Sequence, residues 1–190
     1  MMFHFFRRGS RDDSIAALYG TIVAQARAAP FYRNCGVPDT VNGRFEMLVL
    51  HLVLVLRRLE PEEQARRLGQ ALFDWFCRDM DGSLREMGVG DLAVPGKMRR
   101  IGEAFYGRQA AYAAALSAPD ASLLAAALER NVFAEADSRP GADMLAAYAR
   151  AAAAKLAAQS LQAICRAEFA FPDPSGIAIS AAVESGSESP

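Results

Sequence analysis

The sequence predicts an all-α protein, a single-domain bundle of about six or seven helices around a buried central helix. Three observations carry that expectation. Alanine, the best helix former and a poor strand former, supplies about a fifth of the 190 residues. Ile15, Leu18, Tyr19, Ile22 and Ala26 recur at the three- and four-residue spacing of a helix face. The most apolar stretch, Met47–Leu56, has no polar side to turn toward water. A strand is its rival, because a short apolar run has no periodicity to read. The charged flanks Arg44, Glu46, Arg57 and Arg58 extend it to helical length, which favours a buried helix.

Taken in order, Asp12, Asp13 and Ser14 offer N-caps for a first helix that Pro30 stops after Ala29. A loop over 30–40 contains Gly36 and Pro38. Asp39 or Thr40 then caps the central helix, which reaches about Leu59. Pro61 suits the first turn of a third helix, supported by Glu62–Arg66 and Glu63–Arg67 pairs and facing the core with Leu68, Leu72, Phe73 and Phe76. The pattern breaks near Gly82, restarts as a short helix over Ser83–Met87, and breaks again at Gly88 and Gly90. A long helix follows over about Gly96–Leu116. Another opens at Pro119–Asp120 and reaches about Phe133, Pro140–Gly141 breaks the chain, and an alanine-rich helix spans Asp143–Glu168. Residues 1–11 are expected to be a flexible N-terminal segment, 12–170 the helical domain, and 171–190 a disordered acidic tail.

Composition excludes several function classes. The 21 basic and 22 acidic residues disfavour a strongly basic nucleic-acid binder, although without the acids of the tail the body is slightly basic. Cys35, Cys77 and Cys165 are scattered and form no CxxC, which suggests neither a disulfide framework nor a zinc ribbon and points to a reducing, cytoplasmic compartment. With only His4 and His51, a histidine-based metal site or catalytic triad is not expected. The apolar run is half the ~20 residues a transmembrane helix requires. The aromatic start followed by Arg7, Arg8 and Arg11 is either a frayed terminus or a weak membrane-surface contact. The run from Cys77 to Gly88 imitates a calcium loop but puts Cys77 and Gly88 at the first and twelfth positions, where oxygen ligands belong. Neither a metal nor a cofactor is expected.

Candidate interaction residues remain. His51, in the most hydrophobic helix, is either a core histidine with its two nitrogens satisfied or a group at a client contact. A Cys35–His51 thiolate pair has no supporting residues. Asp81, Arg85, Glu86 and Asp91 crowd the glycines at 82, 88 and 90, either as a solvated loop or as a buried network in which an arginine bridges two carboxylates. Arg57, Arg58, Arg66 and Arg67 cluster around Pro61, while Lys97, Arg100 and Arg108 share a stripe of the long helix. These are solvated surface, or a basic face for ribosomal RNA, anionic lipid or an acidic partner.

Several strings, taken together, are more specific. Phe31-Tyr32, Gly36-Val-Pro-Asp-Thr40, Gly43-Arg-Phe45, Leu50-His-Leu52, Arg57-Arg-Leu59, Met80-Asp81, Ser83-Leu-Arg-Glu-Met-Gly-Val-Gly-Asp91 and Ala104-Phe-Tyr-Gly-Arg108 occur in this order. In them the chain resembles the ubiquinol–cytochrome c chaperone family, bacterial relatives of the mitochondrial assembly factor for the cytochrome bc1 complex. The resemblance covers about Ile15–Phe133, and the last helix loosely. It implies an all-helical, non-catalytic assembly factor whose client is newly made cytochrome b. It also implies partners near the ribosome exit region, a small helical partner protein, and a peripheral position on the cytoplasmic face of the inner membrane. The resemblance leads us to expect a bacterial member, without the mitochondrial members' long N-terminal extension. The family's positions match here at Gly36, Pro38, Asp39, Gly43, Arg44, His51, Asp81, Arg85, Glu86, Gly88, Gly90, Asp91, Tyr106, Gly107 and Arg108. The expected mode is helix-in-groove shielding of an apolar client segment. The client-contact candidates are His51, the four arginines around Pro61, Asp81, Arg85, Glu86, Asp91, Lys97, Arg100, Tyr106 and Arg108. The competing expectation is a ribosome- or RNA-associated helical adaptor without a membrane-protein client.

Overall fold

A computed structural model of the chain describes residues 3–134 and 141–176. Within them the chain is all-helical: α1 (Phe3–Ala26), α2 (Ala29–Arg33), α3 (Val41–Leu59), α4 (Glu63–Glu86), α5 (Val94–Ser117), α6 (Ser122–Asn131), α7 (Ala142–Ala158) and α8 (Leu161–Cys165). The central helix is α3. It packs against α1, α4, α5 and α7, and α6 bridges α5 and α7. From Met47 through Val55 every residue of α3 is buried, so the apolar run is a helix surrounded by helices.

Local chemistry explains most boundaries. Thr40 caps α3, its hydroxyl accepting from the amide of Gly43 at 3.1 Å. Gly43 itself lies against the Pro38 carbonyl so closely that a Cβ there would overlap the oxygen. Gly141, at the start of α7, meets the Cys35 carbonyl in the same way. These two approaches fix the α2–α3 loop against two helices.

Several boundaries differ from the sequence-based expectation. The first helix begins at Phe3 rather than at Asp12–Ser14, so it runs through residues 3–11, where a flexible segment is expected. Pro30 does not simply end that helix but sits in the first turn of α2. Gly82 does not break α4. The roughly 1 kcal/mol disadvantage of a helical glycine is outweighed by burial of Leu84 beyond it, and the Asp81–Arg85 pair spans the site. The predicted short helix over 83–87 is therefore the end of α4. It closes in a Schellman arrangement, with Gly88 left-handed at φ 80°, its amide on the Arg85 carbonyl and that of Val89 on the Leu84 carbonyl.

The last predicted helix is two. Gln159 leaves helical geometry, and Ser160 caps α8 by accepting from the Ala163 amide at 3.1 Å. After α8 the chain returns as an extended strap. The Gln159 side chain holds both backbone groups of Ala170, and Lys155 Nζ donates to the Phe171 carbonyl at 2.9 Å. Phe171, expected to begin a disordered tail, is buried against the His51 ring. The rest of that tail from 177 onward, like Pro140, lies outside the described residues.

Gly43→Ala and Gly141→Ala should each lower stability by about 1–3 kcal/mol, because backbone must move to admit the methyl group. Gly102→Ala, in open space inside α5, should be neutral or slightly stabilising. Chemical denaturation of the three variants checks this; equal effects would show that the two close approaches are not fixed points.

Candidate functional site

Two polar side chains, Glu46 and His51, are buried inside α3. Each is answered from another helix. Arg108 of α5 grips Glu46 through both sides of its guanidinium, Nη2 to Oε1 at 2.6 Å and Nε to Oε2 at 2.8 Å. Hydrogen bonding to Glu46 outweighs desolvation and raises the Arg108 pKa, so the arginine stays charged. Arg108 is therefore not part of a solvent-facing basic stripe with Lys97 and Arg100; it turns inward and ties α5 to α3. Glu46 looks like an ordinary charged flank in the sequence, and its partner is 62 residues away.

His51 is fully buried and so offers no surface to a client. Its Nδ1–H donates to the Met47 carbonyl at 2.7 Å, which makes Nε2 the acceptor of the Tyr148 hydroxyl at 2.8 Å. The Tyr148 oxygen accepts in turn from Gln25 Nε2 at 2.9 Å, and Gln25 also donates to the Pro172 carbonyl. One chain of hydrogen bonds thus links α1, α3, α7 and the C-terminal strap. Burial pushes the His51 pKa down to about 4, opposed only by the Met47 bond. Burial also pushes the Cys35 thiol up, the opposite of what a thiolate nucleophile needs.

The groove that remains open lies between α1, α3 and α4, with α5 at one wall. Its volume is about 710 Å³, and Val23, Phe45, Leu48, Met80, Leu84 and Ile101 contribute its apolar lining. At the rim Val41 is 73% and Met87 58% exposed, which extends the apolar lining outward. Arg27 and Arg44 stand on the α1 and α3 side, Asp79 and Glu86 on the α4 side. Tyr19 donates to Asp79 at 2.7 Å and Arg44 pairs with Asp39 at 2.6 Å, which fixes two of the four rim charges. Of the expected contact residues only Glu86 lines this groove. Val41 lies outside the quoted strings, and Met87 lies within the one over 83–91 without being a contact candidate there; their exposure marks both.

Beside the groove, Arg85 does bridge Asp81 and Asp91, but on the surface rather than buried. It pins the turn between α4 and α5. The arginines around Pro61 separate. Arg58 donates to the carbonyls of Leu156 and Gln159 at the end of α7, and Arg66 to the carbonyl of Glu60. Arg57 reaches Ser117 at 3.3 Å, while Arg67 is exposed. Lys97 and Arg100 are exposed, and the exposed Tyr106 lies tilted against Phe73 and edge-on to Phe105. Among the described residues no group of three or more His, Cys, Asp or Glu could hold a metal ion, and no helix is long and apolar enough to cross a membrane.

The buried polar groups set two expectations. Arg108→Ala removes the partner of the buried Glu46 carboxyl and should cost about 3–5 kcal/mol, whereas Glu46→Leu with Arg108→Leu should recover most of it, as denaturation midpoints would show. For His51, the unfolded chain takes up a proton below about pH 6.5 while the folded chain does not until about pH 4. Its contribution is therefore complete above pH 6.5 and is lost as the pH falls toward 4, on the order of 3 kcal/mol. Comparing unfolding free energies at pH 7 and pH 4.5 should show a smaller acid-side loss in His51→Gln; an identical loss would remove His51 from the account.

Comparison with known proteins agrees with this architecture. The family model described as "Ubiquinol-cytochrome C chaperone" matches residues 33–171, which carries the resemblance through α7 and the strap. The ubiquinol-cytochrome-c reductase complex assembly factor 1 of Xenopus laevis is 29% identical over 140 residues, covering 72% of this chain and 70% of that protein. The crystal structure of the Cbp3 homolog from Brucella abortus superposes with a TM-score of 0.82 at 40% identity, over 92% of this chain and 98% of that one. The family model spans most of the chain and the solved relative shares its helical fold: this chain belongs to the ubiquinol–cytochrome c chaperone family, whose members are assembly factors rather than enzymes.

Proposed function

We propose that this protein attends newly made cytochrome b during assembly of the ubiquinol–cytochrome c reductase complex, holding an apolar segment in the α1–α3–α4 groove. Family membership supports the assembly role. The observation that carries the client-binding part is the open apolar groove with Val41 and Met87 unsheltered at its rim. A membrane subunit exposes apolar helix surface until its neighbours arrive. A groove of this size accepts one or two turns of such a helix, with i, i+3 and i+4 side chains as anchors. The rim charges of opposite sign on its two lips would orient the segment. The RNA-adaptor alternative loses support, because Arg58 and Arg66 are engaged with backbone carbonyls at helix ends.

Val41→Asp and Met87→Asp test the proposal. Both side chains are already exposed, so stability should change by no more than about 0.5 kcal/mol. In cells lacking the native gene, each variant should recover less cytochrome b by co-purification and restore less assembled bc1 complex than the unaltered protein. Full restoration by both would overturn the groove as the client site. Normal bc1 levels in the deletion strain itself would overturn the assembly role.

A further inference from the structure

The strap after α8 is held by the body in the manner of a bound peptide. Among the described residues, the hydrogen bonds that cross from the body to the strap all end on strap backbone. Gln159 accepts from the Ala170 amide at 2.9 Å and donates to its carbonyl at 3.1 Å. Lys155 Nζ and Gln25 Nε2 donate to the next two carbonyls, those of Phe171 and Pro172, at 2.9 and 3.2 Å. Pro172 has no amide to satisfy. Strap side chains alternate. Glu168 and Ala170 face water, while Phe169 packs on the core and Phe171 is buried, their ring centroids 5.4 Å apart. The Phe171 ring meets the His51 imidazole edge-on at 5.2 Å. An aromatic pair and the main chain therefore hold the strap.

The strap also begins at a strained point. Ala167 closes α8 in the same Schellman arrangement as Gly88 closes α4, its amide on the Ile164 carbonyl and that of Glu168 on the Ala163 carbonyl. Its φ is 59°, in the left-handed region where a Cβ is disfavoured and glycine is usual. The strain is relieved only when the cap and the strap behind it come undone, so it works against docking. We propose that the cleft between α1, α3 and α7 is a binding site for an extended segment of another protein, carrying two aromatic residues at alternate positions followed by proline, and that the strap fills it in cis. None of the contacts depends on the strap being joined to α8. A segment with the pattern of residues 169–172 meets the same groups, its backbone on Gln25, Lys155 and Gln159 and its second ring on His51. Main-chain bonds with alternate side chains in pockets are a general means of holding extended peptides. The cleft shares no residue with the lining of the α1–α3–α4 groove, so each site can fail alone.

Fluorescence anisotropy of a labelled peptide with the sequence of residues 167–176 tests this on the full-length protein. The strap competes with the peptide, so apparent affinity is reduced by the fraction of chains whose cleft is filled. Phe171→Ala removes the anchor of the strap and should bind the peptide about tenfold more tightly than the unaltered protein, whereas Ala167→Gly relaxes the cap and should bind it less tightly. Replacing both phenylalanines of the peptide with alanine, or adding Lys155→Ala to Phe171→Ala, should weaken binding. Val41→Asp and Met87→Asp should leave it unchanged. In the unaltered protein, excess peptide should speed hydrogen exchange at the Ala170 amide about tenfold and leave that of Val53 in α3 as it was. This second measurement decides the matter if Phe171→Ala does not fold. No binding to folded Phe171→Ala, binding indifferent to the peptide's phenylalanines, or an Ala170 amide unmoved by excess peptide overturns the proposal. A dimer with exchanged straps that the peptide cannot dissociate overturns it in favour of a second copy as the occupant.

Discussion

A helix buried around its whole circumference must have every polar group it carries answered by a neighbour, since no water reaches it. In α3 those groups are Glu46 and His51, and their partners decide how the bundle is assembled. Arg108 reaches Glu46 from α5, and Tyr148 reaches His51 from α7 with Gln25 of α1 behind it. Apolar packing against α3 is indifferent to small rotations of the neighbouring helices. A two-point guanidinium–carboxylate pair and an oriented hydrogen-bond chain are not, so they select one arrangement from many of similar burial.

The same constraint shapes the two ends of α3 differently. Around His51 the core is closed by aromatic rings, with Phe31, Tyr148 and Phe171 about the imidazole, and the strap is held there by Gln25, Lys155 and Gln159. Near the N-terminal end, cover is incomplete. Phe45 is only half-buried and Val41 stands in the open. The groove is thus the place where the central helix runs out of neighbours.

Much of this was legible in the sequence. The all-helical class, the buried central helix and the stripe on α1 follow from periodicity and alanine content, which depend on local residues only. What escaped depended on distant partners. Glu46 reads as a solvated flank because nothing within a few turns reveals Arg108. Arg108 reads as surface because its helix stripe also carries Lys97 and Arg100. Gly82 and the run over 143–168 mislead in opposite directions. In one, burial of Leu84 overrides a weak helix former; in the other, good helix formers yield at Gln159 and Ser160 to a cap and a returning strap. Arg85 bridging two carboxylates was readable from spacing, but its exposure was not, because charge pattern alone does not say which side of a turn faces water.

An open apolar groove is under constant pressure to close, since collapse of its walls would bury apolar surface. The client role proposed for it therefore requires a floor that keeps its place. Phe45 and Leu48 line the groove, and Glu46 and Met47 lie between them in sequence on the buried side of the same helix. The Glu46–Arg108 pair fastens that segment to α5, which supplies Ile101 to the opposite wall. The pair lies within a turn of the lining residues, so sliding α3 into the groove would pull a buried carboxylate off its only cation. The polar groups that make α3 difficult to bury are in this way the ones that keep the groove open.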